Sequence, residues 1–156
     1  SEKEFMARCI SCGQCVAVCI FKCLEMTPDY LFWGPETPKV FQRKAPCFLC
    51  MKCVDVCPTE ALHKVPMEKS GMGMAYLDAK KCVDYQERNS VMCWTCYEKC
   101  PFKAKAIVLQ GGYIPTVTED CVGCGVCEYV CPVKAITVTP ARLIGGTGAN
   151  GRGGKG

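Results

Sequence analysis

Length, composition and charge exclude several classes of protein at the outset. The chain has 156 residues, 17 of them cysteine, and the cysteines occur in clusters at intervals of two or three residues. An odd number of clustered cysteines is typical of metal ligation and argues against a scaffold built on disulfides. The formal charge of +4 is weak support for nucleic acid or a membrane surface as a partner. No apolar run approaches the roughly 18 residues of a membrane-spanning helix.

Four cysteine units follow one another along the chain, at residues 9–19, 47–57, 82–100 and 121–131. Their spacing approaches C-x2-C-x2-C-x3-C, followed by proline in three of them, as in the [4Fe–4S] ligands of bacterial ferredoxins. The first unit has Ile20 in place of proline, and the third has ten residues between Cys82 and Cys93. We predict four [4Fe–4S] clusters with sixteen ligands: Cys9, Cys12, Cys15, Cys19, Cys47, Cys50, Cys53, Cys57, Cys82, Cys93, Cys96, Cys100, Cys121, Cys124, Cys127 and Cys131.

The segments between the units predict short helices and strands. After each fourth cysteine we expect a helical turn and then a short strand, as at residues 106–109 and 136–139. Segment 24–46 contains several prolines and predicts an irregular loop. Its expected packing anchors are aromatic: Tyr30, Phe32 and Trp33.

We expect residues 1–140 to form one four-cluster domain, and the glycine-rich tail at 141–156 to be disordered in isolation.

A chain of this size has a small apolar core. Bound metal is therefore expected to supply much of the folding free energy, and the iron-free form to be largely unfolded. Each oxidised cluster with its thiolates carries a charge of about −2, so four clusters change the formal charge of +4 to about −4.

Two alternatives concern the cysteines themselves. Structural zinc also binds C-x2-C pairs, but it takes two ligands from each pair and seldom uses a third cysteine followed by a fourth before proline. Cys23 is the one cysteine outside the sixteen, and it occupies the position that Ala61 and Ala135 fill after other fourth cysteines. It is either an additional ligand or redox-active thiol, or a small buried residue, and we favour the buried residue.

Several short motifs within residues 5–140 accompany the four units: Arg8-Cys9-Ile-Ser-Cys12-Gly-Gln-Cys15, Cys57-Pro-Thr, Met72-Gly-Met-Ala75, Cys93-x2-Cys96-Tyr-x2-Cys100-Pro101 and Ile114-Pro115-Thr116-Val117. Through these motifs the chain resembles the NapG/MauM ferredoxin-type family of polyferredoxin-like proteins with four [4Fe–4S] clusters. The short N-terminus is also similar to that of the small iron–sulfur subunits of tungsten-containing aldehyde oxidoreductases. These resemblances imply electron transfer beside a molybdenum or tungsten enzyme.

In two-cluster ferredoxins the fourth cysteine of one unit ligates the cluster of the other unit, which leaves two ways of pairing four units. Sequential pairing joins the first unit to the second and the third to the fourth, and the short interval between the third and fourth units favours it. Nested pairing, similar to that of other four-cluster electron-transfer subunits, joins the first unit to the fourth and the second to the third. We favour the nested pairing, which predicts these ligand sets: Cys9, Cys12, Cys15 and Cys131; Cys121, Cys124, Cys127 and Cys19; Cys47, Cys50, Cys53 and Cys100; Cys82, Cys93, Cys96 and Cys57.

We therefore expect an α+β fold in which two bacterial-ferredoxin-like modules, each with two clusters, are fused into one domain. The expected function is electron transfer between a catalytic oxidoreductase subunit, with a tungsten or molybdenum pterin cofactor, and a redox carrier. We expect no catalytic site, nucleic-acid partner or membrane span in this chain. The alternatives are a free soluble polyferredoxin and, more remotely, a zinc-binding interaction module. Only eight residues precede Cys9, so we expect a cytoplasmic protein, or a periplasmic one if an export signal has been removed.

Overall fold

The computed structural model describes residues 2–29, 34–86 and 92–141, in which short helices and strands alternate. The helices are α1 (Glu2–Arg8), α2 (Gln14–Ala17), α3 (Lys52–Asp55), α4 (Val83–Gln86), α5 (Thr95–Lys99) and α6 (Val126–Val130). The strands are β1 (Leu24–Asp29), β2 (Gly34–Val40), β3 (Gly73–Leu77), β4 (Ile107–Gln110), β5 (Ile114–Val117) and β6 (Ile136–Pro140). A single 3-10 turn covers Met67–Lys69 among these residues. We call residues 2–66 the first half and residues 67–141 the second half.

Proline following the fourth cysteine explains where α5 and α6 end. A residue that precedes proline is restricted to extended backbone, because the proline ring clashes with a helical conformation. Cys100 has ψ 125° before Pro101, and Cys131 has ψ 113° before Pro132. Each of these cysteines therefore lies in extended backbone at the point where its helix ends.

Three antiparallel sheets, each of two strands, connect the described elements: β1 with β2, β3 with β6, and β4 with β5. The two strands expected at residues 106–109 and 136–139 are confirmed as β4 and β6, with small shifts at their ends. Gly111 and Gly112, with φ of 62° and 84°, turn the chain between β4 and β5. In the sheet of β3 and β6, Ala75 faces Val138 across the strands, and both are buried.

The irregular loop expected at residues 24–46 is wrong over most of its length, because β1 and β2 form a hairpin there. Both strands of a two-stranded sheet are edges, so prolines fit where their missing N–H would face away from the partner. Pro38 lies opposite Met26 within this ladder. The proposed anchors Tyr30, Phe32 and Trp33 lie outside the described residues, and so does the tail beyond residue 141.

The buried apolar residues are small and are mixed with cysteines. One cluster lies within the second half and consists of Ala75, Cys96, Ile107, Cys127, Ile136 and Val138. Another lies between the halves and consists of Leu49, Val122, Cys124 and Val126. Because predicted ligands form part of both clusters, the fold and the candidate metal centres occupy the same interior space.

Candidate metal centres

Left-handed backbone beside the second cysteine is common to the four cysteine loops. This conformation costs an L residue about 1 kcal/mol or more, so its repetition indicates a required turn. It orients three thiols of one loop towards one recess. Glycine occupies three of the seven positions, so the sequence signals this turn only in part. The residues are Ser11, Gly13, Leu49, Met51, Trp94, Gly123 and Gly125.

Each fourth cysteine lies with the three cysteines of a neighbouring unit rather than with its own. Three recesses show this directly, and we number the sites after the loop that supplies three thiols. Site 1 contains Cys9, Cys12, Cys15 and Cys57. Site 3 contains Cys82, Cys93, Cys96 and Cys131. Site 4 contains Cys100, Cys121, Cys124 and Cys127.

Site 2 is recognised by the electrostatic interactions of its thiols, and it consists of Cys19, Cys47, Cys50 and Cys53. Burial raises the pKa of the Cys47 thiol, and the charges of Cys50 and Cys19 act in the same direction. Burial also raises the pKa of Cys53 to about 11, with Cys47 among the neighbouring thiols that contribute. The fourth cysteine of the first unit is therefore close to the loop of the second.

This grouping corrects the nested pairing that we favoured from the sequence. Nested pairing requires Cys131 beside the loop at residues 9–15, and the structure places it beside Cys82, Cys93 and Cys96 instead. It also requires Cys57 in the third unit, and the structure places it at the first. The physical reason is local packing, because helices α2 and α3 contact each other in the first half and α5 packs on α6 in the second.

Burial differs between the two halves. Cys12 and Cys50 are exposed, whereas Cys82, Cys96, Cys124 and Cys127 are buried. Burial raises the pKa of Cys96 to about 12, and the charges of Cys82 and Cys131 act in the same direction. Burial raises the pKa of Cys127 as well. Because a thiolate is the form that binds metal, loading these sites must release protons.

Backbone N–H groups are directed at several of these sulfur atoms. The Ala135 N–H donates to Cys131 Sγ at 3.2 Å, and the Ala75 N–H donates to Cys121 Sγ at 3.4 Å. The first of these belongs to a turn that three units share, in which the third residue after the fourth cysteine has positive φ: Lys22, Glu60 and Lys134. Hydrogen bonds to sulfur stabilise the charged form and tune the potential of an iron–sulfur cluster.

Cys23 occupies the next position of this turn. It is 2% exposed, and Ala61 and Ala135 are buried at the equivalent places. Its Sγ lies 3.5 Å from Cys19 Sγ, and burial followed by interaction with Cys19 and Cys47 raises its pKa. Cys23 is thus a small buried residue, as favoured from the sequence, and its thiol touches two cysteines of site 2.

Asp84 is a residue that the sequence analysis missed. It is 5% exposed, lies in α4 two residues after Cys82, and accepts hydrogen bonds from the N–H of Cys93 at 2.8 Å and of Trp94 at 3.5 Å. Its carboxylate therefore connects helix α4, which follows Cys82, with the backbone at Cys93, the next cysteine of site 3. An acidic residue beside a cysteine is common, so the sequence offered no signal that distinguished it.

The donor set of each site fits a [4Fe–4S] cluster, which requires four thiolates bound to four separate iron atoms. Within the described residues, no group of three or more His, Cys, Asp or Glu side chains is placed to bind a single metal ion. None of the described helices is long and apolar enough to cross a membrane. The short helices, small sheets and thiol-lined recesses together define a ferredoxin-like iron–sulfur protein.

Comparisons with known proteins agree with this class. A family model described as a 4Fe-4S dicluster domain matches residues 8–61 and 46–104, and a 4Fe-4S binding domain matches residues 114–137. The methylamine utilization ferredoxin-type protein MauM of Methylorubrum extorquens is 36% identical, over 96% of this chain and 74% of that protein. The ferredoxin-type protein NapG of Escherichia coli is 34% identical, over 94% of this chain and 70% of that protein.

The chain belongs to the NapG/MauM family of ferredoxin-type proteins. The ferredoxin-type protein NapF of Escherichia coli is also similar, at 30% identity over 87% of this chain and 78% of that protein. The chain is accordingly an iron–sulfur protein of electron transport that carries [4Fe–4S] clusters. The resemblance to the family that we identified from the sequence is confirmed.

Proposed function

We propose that this chain is an electron-transfer subunit in which four [4Fe–4S] clusters are bound at sites 1 to 4. The halves are then two modules of two sites each. The observation that carries the proposal is the exchange of fourth cysteines, since each thiol-lined recess contains three cysteines of one loop and one of the neighbouring unit. This is the exchange that two-cluster ferredoxins use.

A bound [4Fe–4S] cluster supplies one-electron redox chemistry at potentials that range from about −700 to +450 mV among proteins. The residues of this chain determine where in that range each site falls. They do so through hydrogen bonds to sulfur, through charges such as Asp84, and through burial, which is greater in the second half.

Metal analysis of anaerobically purified protein tests the four-site proposal. We expect about sixteen iron and sixteen sulfide per chain, with the broad visible absorption of iron–sulfur clusters. About eight iron per chain would contradict it and leave only one half loaded. A colourless protein that contains zinc would support the remote alternative of a zinc-binding interaction module.

We further propose that the catalytic partner is an oxidoreductase with a tungsten or molybdenum pterin cofactor. A redox carrier then exchanges electrons with the cluster at the opposite end of the chain of four clusters. This choice rests on the sequence alone, in which the short N-terminus is similar to that of small subunits of tungsten-containing aldehyde oxidoreductases. Native purification should show the chain co-eluting with a catalytic subunit, and metal analysis of that complex should show tungsten or molybdenum. A chain that elutes alone and exchanges electrons with several carriers would favour the free polyferredoxin.

A further inference from the structure

We propose that the hydrogen bond between the Cys47 and Cys124 backbones joins the electron path of the first half to that of the second, so that the sites lie in the order 1, 2, 4, 3. This inference rests on the proposed function, because it assumes that all four sites are loaded. It assigns the two ends of the path to sites 1 and 3. This order differs from the order of the cysteine units in the sequence. The reason is that the first half contacts the loop of site 4, which comes after the loop of site 3 in the chain.

The junction consists of two residues that are both predicted ligands. The Cys47 N–H donates to the Cys124 carbonyl oxygen at 2.9 Å, which connects the loop of site 2 with the loop of site 4. Around it, Leu49 of the first half packs with Val122 and Val126 of the second, and all three are at most 5% exposed. The Sγ atoms of Cys47 and Cys124 are thereby linked through a few covalent bonds and one hydrogen bond, beside buried apolar side chains.

Within each half, one thiol of each site lies close to the other site. In the first half, helix α2, which contains Cys15 of site 1, contacts helix α3, which contains Cys53 of site 2. In the second half, Cys96 of site 3 and Cys127 of site 4 belong to the same buried cluster. Sites 1 and 2 are therefore neighbours, as are sites 3 and 4, and the junction connects the inner member of each pair.

Two further contacts hold the halves together at this junction. Arg43 Nε of the first half donates to Glu128 Oε1 of the second at 2.7 Å, and Glu128 Oε2 accepts the Val138 N–H at 2.9 Å. Glu128 is 8% exposed and is adjacent to Cys127. Gly125 lies against Gln42, so closely that an added Cβ would be 2.4 Å from the Gln42 Cβ. These residues position sites 2 and 4 beside each other.

Electron paramagnetic resonance of the dithionite-reduced holoprotein tests the order. Serine substitution of one ligand in each site, at Cys12, Cys50, Cys93 and Cys121, marks the signal of that site. We expect the Cys50→Ser change to alter the spin–spin splitting of the site 1 and site 4 signals. We expect Cys12→Ser to affect site 2 alone and Cys93→Ser to affect site 4 alone. Coupling of site 1 with site 3, or of site 2 with site 3 in place of site 4, would overturn the order.

A second set of three variants tests the junction without changing a ligand. Gly125→Ala, at φ 86°, places a methyl group against Gln42, whereas Gly112→Ala, at φ 84°, has no neighbour within 4 Å. We expect Gly125→Ala, and Arg43→Ala with it, to weaken the splitting between sites 2 and 4 while the splittings within each half persist. Gly112→Ala should leave all splittings unchanged. An unchanged splitting between sites 2 and 4 in the Gly125→Ala and Arg43→Ala proteins would refute the junction.

The iron content separates this inference from the proposed function. If wild-type protein contains fewer than four clusters, the proposed function fails before the order is examined. If it contains four clusters that couple in another order, the proposed function stands and only the junction is wrong. A ligand variant that loses its whole [4Fe–4S] cluster is equally informative. The splitting caused by the lost cluster must then disappear from the signals of the neighbouring sites and from no other signal.

Discussion

At the scale of single residues, the environment of each sulfur atom depends on the turn after the fourth cysteine. Lys134 has positive φ, and this places the Ala135 N–H 3.2 Å from Cys131 Sγ. The residue that carries this N–H is small and buried: Ala135 lines the recess of site 3, and Ala61 lines that of site 1 at the equivalent position. Cys23 fills the same position in the first unit, and its thiol adds one more hydrogen-bonding group beside Cys19.

Replacing Cys23 with alanine should leave the iron content unchanged, because alanine is the residue at the equivalent positions 61 and 135. One of the four reduction potentials should become more negative, since the substitution removes an S–H donor that stabilises the reduced form. Iron analysis and a potentiometric titration check this. Loss of about four iron per chain would instead make Cys23 a ligand.

Asp84→Asn should raise the potential of site 3, because it removes a negative charge close to the loop while preserving an oxygen that accepts the Cys93 N–H. Asp84→Ala should also weaken the site, since leaving buried N–H groups without an acceptor costs about 1–3 kcal/mol. A redox titration measures both effects. Asp78→Asn is the matched control: Asp78 accepts the Lys80 N–H at 2.9 Å in an exposed turn, and the change should shift no potential. Equal shifts in both asparagine variants would contradict a specific role for Asp84.

At the scale of elements, close contact between backbone segments determines where β3 lies against the site 4 loop. The Met72 N–H donates to the Val122 carbonyl at 3.0 Å, just before β3 begins at Gly73. An added Cβ at Gly123 would be 2.5 Å from the Gly73 backbone. Backbone cannot move aside as a flexible side chain can, so glycine is required here for space as well as for its φ of 72°.

Gly123→Ala should therefore cost more than the 1–2 kcal/mol of a left-handed alanine, and should release the iron of site 4 first. Gly13→Ala is the matched control, because Gly13 has φ 71° and no neighbour within 4 Å. It should show the conformational cost alone and retain its iron. Denaturant unfolding and iron analysis of both proteins provide the comparison, and equal losses in the two variants would show that the contact with Gly73 is unimportant.

At the scale of the whole molecule, the small apolar core of the described residues leads us to expect that bound metal supplies much of the folding free energy. The described helices have four to seven residues, and isolated helices shorter than about 12–15 residues are marginal in water. The larger buried cluster has six residues, and two of them, Cys96 and Cys127, are predicted cluster ligands. We therefore expect the bound [4Fe–4S] clusters to act as part of the core.

Removal of iron by a chelator should largely unfold the protein. Far-ultraviolet circular dichroism should show the loss of ordered structure, and reconstitution with iron and sulfide should restore it, because metal-binding free energy is folding free energy in such proteins. A cooperative thermal transition of the iron-free protein would contradict this expectation. An unaltered spectrum after chelation would contradict it equally.

The sequence by itself determined the family and the spacing of the sixteen predicted ligands, because the loop geometry of a ferredoxin depends on intervals of two and three residues within a short segment. It also determined the strands β4 and β6, whose apolar pattern and glycine turn are local. Only the tertiary structure decided which units share a recess, because Cys131 reaches site 3 through the packing of α5 on α6. The hairpin of β1 and β2 and the role of Asp84 were likewise decided by tertiary contacts. Strand pairing and hydrogen bonds between segments depend on proximity in space, which neighbouring residues in the chain do not encode.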